Sequence, residues 1–149
     1  IRLTKNLSKF IKVSYFSVFA VYIMIFIGGI VSSTESGLAC PDWPLCYGQF
    51  IPNLSYHIFI EFFHRLWALI VTSSIISLVF LSWKEKSVPN RCLLISIISL
   101  IFLSFQVFLG MLTVITTLHP IVVSLHLAFA TALFGLLIYN LLYFKYNIK

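Results

Sequence analysis

Apolar residues fall into four runs along this chain, near Val13–Ser32, Tyr56–Ser82, Cys92–Thr117 and Pro120–Phe144, with short polar breaks between them. A hydrocarbon core of about 30 Å is crossed by roughly 20 helical residues, and each run meets that length. Backbone amides in lipid have no water partner, and the breaks are too irregular for the strand-by-strand repeat of a barrel, so each run is expected to be a helix. The expected fold is all-α: a single four-helix transmembrane domain over residues 1–149. The first run follows a basic stretch, as a signal peptide does. Its apolar part exceeds an ordinary h-region and no small-residue cleavage site of the A-x-A type follows, so it is kept as a spanning helix.

Composition and charge sharpen this picture. Hydrophobic residues make up 60% of the chain and charged ones 9%, outside the range of soluble domains. Arg2, Lys5, Lys9 and Lys12 precede the first run, Lys84, Lys86 and Arg91 lie between the second and third, and Lys145 and Lys149 follow the fourth. The other two connections contain neither Lys nor Arg. Basic residues stay on the cytoplasmic side, which predicts both termini inside and the long loop from Ser33 to about Ser55 outside, in a prokaryotic plasma membrane. The net charge of +6 is accounted for by this topology and by anionic lipid head groups, so no nucleic-acid partner is expected.

The polar residues that remain inside the runs form a pattern. His57, His64 and Ala68 share the spacing His-x6-His-x3-Ala with His119, His126 and Ala130, and these are all the histidines of the chain. Helical positions seven and four apart lie on one face, so each run presents two imidazoles and a small residue on one side. The second run adds Glu61 and Arg65, giving a stripe of His57, Glu61, His64, Arg65, Ala68 and Thr72. A charge at a helix centre costs about 2.5–3.5 kcal/mol even on lenient scales, which points this stripe into the bundle. An i, i+4 ion pair that only fixes packing leaves His126, at the matching depth of an otherwise apolar run, unexplained. Facing imidazoles on a bundle suit heme iron, and Ala68 and Ala130 leave room for the macrocycle. Zinc is the weaker candidate because it takes three or four protein ligands. His57 and His119 lie about 10 Å further along the axis. Three readings stay open for them: hydrogen bonds to heme propionates, ligation of a second heme, or polar anchoring at the membrane boundary.

Phe26-Ile27-Gly28 parallels Phe108-Leu109-Gly110, which suggests that helices 1–2 and 3–4 are pseudo-repeats separated by a loop insertion in the first. That loop holds Cys40-Pro41-Asp42-Trp43-Pro44-Leu45-Cys46. Its exterior position makes Cys40 and Cys46 plausible disulfide partners, either as a structural staple or as a redox-active pair, while Cys92 lies on the other side.

The runs Thr34-Glu35-Ser36-Gly37-Leu38-Ala39-Cys40-Pro41-Asp42-Trp43-Pro44-Leu45-Cys46, Glu61-x-x-His64-Arg65, Gln106-x-x-x-Gly110-x-x-Thr113-Val114 and Leu125-His126 resemble the heme A synthase family. The resemblance covers most of the chain and is to the N-terminal four-helix half of the eight-helix members. It implies oxidation of the C8 methyl of heme O to a formyl group, giving heme A for terminal oxidases. It also implies that His64 and His126 ligate heme iron, that Glu61 assists the oxidation, and that Cys40 and Cys46 form a disulfide with a redox or heme-handling role. Arg65 would balance Glu61 or a heme propionate, with His57 and His119 as outer support. The cofactors so implied are heme O and heme A, or heme B, with their iron. The expected partners are heme O, membrane lipid, a second copy of the chain, and the heme O synthase or terminal oxidase subunits. The competing reading is a non-enzymatic b-type cytochrome, such as an accessory heme-binding subunit of a respiratory complex, and a third is a heme carrier or assembly factor. The half-length chain favours the cytochrome. Glu61 with Arg65 favours the enzyme, since plain electron transfer needs no acid inside the membrane.

Overall fold

The computed structural model describes residues 5–147; Arg2 and Lys149, assigned above to the cytoplasmic flanks, lie outside the described residues. Four helices follow in order: α1 Lys5–Ser33, α2 Tyr56–Lys84, α3 Asn90–Ile115 and α4 Pro120–Asn147. Each is long and apolar enough to cross a membrane. The fold is an all-helical four-helix bundle. Extended pairing among the described residues is confined to an isolated bridge between Cys46 and Gln49 in the α1–α2 loop.

The ends of α1 and α3 are set by a common physical device. At the end of α3, Thr117 adopts φ +51° and Leu118 φ +60°. The Leu118 N–H then bonds to the Thr113 carbonyl and the Thr117 N–H to that of Val114, satisfying carbonyls that the helix itself leaves free. The helix therefore stops before Thr116. The end of α1 repeats this motif with Glu35 at φ +54°, Ser36 bonding back to Val31 and Glu35 to Ser32. In sequence, Val31 stands to Gly28 as Thr113 stands to Gly110, so the pseudo-repeat extends to the way both helices end. At its other end α1 reaches back at least to Lys5, ahead of the apolar run, because Lys9 and Lys12 interrupt hydrophobicity without breaking the helix.

The helices pack in a ring, α1 against α2, α2 against α3, α3 against α4 and α4 against α1, with no close backbone contact across either diagonal. The two histidine-bearing helices, α2 and α4, thus stand at opposite corners. Phe10 packs against Phe144 with the rings tilted by 58°, and the Trp67 indole donates to the Ala20 carbonyl at 2.9 Å, fixing the antiparallel register of α1 with both neighbours.

Packing differs sharply between the two ends. At the end carrying the termini, Phe10, Ile75, Leu78, Leu137 and Phe144 are fully buried, with serines between them. Helix association in lipid relies on close van der Waals contact, which small residues permit. Three of the serine hydroxyls there bond back to their own helix, Ser14 to Phe10, Ser96 to Cys92 and Ser99 to Ile95, each at 2.8 Å, while the buried Ser17 hydroxyl has no partner. Asn140 donates across to Ser96 at 2.9 Å. Toward the loop end the bundle opens: α3 has no buried residue beyond Leu103, α4 none before Leu133, and α2 only Glu61 before Val71.

Candidate functional site

The open end holds the predicted site residues. On α2, the His64 ring rests on the backbone of α1 at Gly28, where a Cβ would sit 3.4 Å from the imidazole Cε1. On α4, His126 rests on α3 at Gly110 with the same 3.4 Å approach. The two glycines that marked the repeat are therefore the surfaces on which the two imidazoles lie. Each ring keeps its Nδ1 buried without a hydrogen-bond partner. Buried unpaired polar atoms are costly, and here two of them fall at equivalent positions of diagonal helices. Among the described residues no three His, Cys, Asp or Glu side chains gather as metal ligands. Two opposed imidazoles with unpaired nitrogens, flanked by Ala68 and Ala130, fit a planar metal macrocycle. Gln106, one turn before Gly110, leaves its Oε1 buried and unpartnered in the same region. The sequence motif contained Gln106 but gave it no task.

Glu61 and Arg65 form an ion pair on the same stripe, with side-chain exposures of 5% and 16%. The other Glu61 oxygen, Oε2, accepts the Cys40 backbone N–H at 2.7 Å. Arg65 donates to the loop carbonyls of Asp42 at 2.7 Å, Leu45 at 2.6 Å and Cys40 at 3.1 Å. Cys40 and Cys46 are joined as a disulfide, and Cys92 is free and buried in α3. The far side of the loop is ordered by the Asp42 carboxylate, which accepts the N–H groups of Tyr47 at 2.6 Å and Gly48 at 2.7 Å. These bonds, that from Gly48 first, hold the Asp42 carboxyl below the usual carboxylate range.

The outer histidines separate from the inner pair. His57 is exposed, and its Nδ1 lies 3.0 Å from the Ser36 hydroxyl, which in turn is 2.7 Å from that of Thr34. His57 thus ties the start of α2 to the end of α1. His119 is exposed at the corner before α4, where its carbonyl accepts the Val123 N–H. The loop passes over that corner, since Gly37 meets the Leu118 side chain.

The profile of the cytochrome oxidase assembly protein family matches residues 12–58 and 53–148. A protein of Bacillus pumilus named heme A synthase is 36% identical over 115 residues, covering 76% of this chain and 38% of that relative. The chain belongs to the heme A synthase family. A second relative of that name, from Lysinibacillus sphaericus, is 34% identical over 127 residues, covering 81% of this chain and 40% of its own length. The heme A synthase of Bacillus mycoides is 36% identical over 101 residues, 66% of this chain and 32% of that protein. The matched part of the chain spans 32–40% of the length of these relatives.

Proposed function

We propose that this chain oxidises the C8 methyl of heme O to a formyl group, yielding heme A, with the substrate held between His64 and His126. The observation that carries this reading is the pair of unpartnered imidazoles on diagonal helices with a buried carboxylate, Glu61, one turn from the first. The iron porphyrin, when bound, supplies the redox chemistry. The chain supplies the rest. His64 and His126 hold and orient the ring system, Gly28 and Gly110 give each imidazole a flat backing, and Ala68 and Ala130 leave space beside them. With water as the oxygen source, converting a methyl to a formyl group releases four electrons and four protons. Glu61 is the group placed to accept protons at its carboxylate, with Arg65 fixing it in position. The electrons leave to an acceptor outside the chain.

The distribution of basic residues supports placing the Cys40–Cys46 loop on the exterior and both termini in the cytoplasm. Lys9, Lys12, Lys84, Lys86, Arg91 and Lys145 all belong to the end of the bundle away from the loop. Supplying heme O to cells carrying the protein, then extracting and chromatographing the heme bound to it, tests the reading. Heme A or its hydroxylated precursor is the expected result. Heme B alone contradicts it and points to a b-type cytochrome.

A further inference from the structure

The segment from Cys40 to Cys46 folds around the Arg65 guanidinium. Nη1 donates to the carbonyls of Asp42 and Leu45, and Nη2 to the carbonyl of Cys40 and to Glu61. A guanidinium carries five N–H donors in a fixed plane, and these bonds engage both terminal nitrogens twice. Only the Nε–H is left over, so no terminal donor remains for a heme propionate. Loop carbonyls ordinarily face water. Here three from one short segment converge on a single cation, and the disulfide closes the segment into a ring. Cys40 is gripped at both amide groups, its N–H by Glu61 and its carbonyl by Arg65. Both ring sulfurs belong to residues no more than 2% exposed.

We propose that the Cys40–Cys46 ring is an internal guanidinium receptor and that Arg65 is a positioning residue, through which the disulfide fixes the Glu61 carboxylate. The inference rests on the proposed function only in treating Glu61 as a reacting group. Ring closure pre-organises three acceptors that an open loop would have to order at an entropic cost. Linkage makes the effect reciprocal: contacts that exist only with the ring closed make the disulfide harder to reduce, and the disulfide in turn steadies Arg65 and Glu61. This assigns the cysteine pair to holding the site in shape, not to carrying electrons.

Disulfide reduction in the membrane-embedded protein tests it without any heme measurement. A dithiol such as dithiothreitol breaks the S–S bond, closes into its own cyclic disulfide, and leaves both electrons and two protons on the cysteine sulfurs. The released thiols are followed by mass shift with a polymer-linked maleimide, Cys92 giving a constant background. Arg65→Ala is expected to be reduced roughly tenfold faster than the parent, since charge-assisted hydrogen bonds are the strong ones. Millimolar methylguanidinium should restore most of the lost protection, whereas methylammonium should not, and Arg65→Lys should fall between Arg65→Ala and the parent. Reduction of Arg65→Ala at the parent rate overturns the proposal, as does equal rescue by the two cations. If Arg65→Ala does not accumulate, Arg65→Lys carries the test, and a parent rate in that variant likewise overturns it. Failure here leaves the heme assignment standing, and failure to form heme A leaves this proposal standing.

Discussion

The helix pairs α1–α2 and α3–α4 share a frame and differ in what is attached to it. Both pairs lay an imidazole on a glycine, both leave an Nδ1 buried and unpaired, and both end their first helix with a left-handed residue that is not glycine. At the positions that correspond to Glu61 and Arg65 on α2, α4 has Val123 and Leu127. Only the first pair carries the disulfide loop. The shared parts are those that would grip a symmetric planar ligand from two sides, and the unshared parts are those that would act on one edge of it. On the proposed reading binding and chemistry are separable, which gives each its own experiment.

The largest effect is expected from breaking the shared frame. His64→Ala and His126→Ala should each lower heme retention at least about a hundredfold, read as the heme-to-protein ratio after purification, because each would remove one of the two side chains proposed to hold the iron. A large loss in one variant and none in the other would break the equivalence of the pairs. Breaking the unshared part should leave retention alone: Glu61→Gln is expected to keep heme within about twofold while lowering heme O conversion by a factor on the order of a hundred or more. Smaller effects should come from the glycines. At 3.4 Å an added methyl is an ordinary contact, so Gly28→Ala and Gly110→Ala should shift the heme absorption bands little. Leucine at either position should displace the ring and weaken retention about tenfold, equally in the two pairs. The smallest effect is one of stability: a left-handed residue other than glycine costs about 1 kcal/mol, so Thr117→Gly and Glu35→Gly should each stabilise the bundle by roughly that amount in denaturant unfolding.

The same comparison separates what was legible in the sequence from what was not. Four apolar runs gave four helices because hydropathy over a span of this length is a property of the local sequence. The end of α3 was misplaced because Thr117 and Leu118 carry no glycine signal for a left-handed stop. The histidine faces were legible from helical spacing alone. That Gly28 and Gly110 lie beneath His64 and His126 was not, since it depends on the register between helices, although both glycines had already appeared as the mark of the repeat. The partners of Arg65 were the least legible. They are backbone carbonyls, which leave no trace in residue identity, and only the fold of the disulfide loop brings them together.

On the proposed reading one frame holds the heme and Glu61 serves its oxidation. Chromatography of the heme extracted from Glu61→Gln, purified from cells supplied with heme O, tests this most directly. The account predicts a full complement of bound heme, all of it heme O. Heme A in that variant would contradict it.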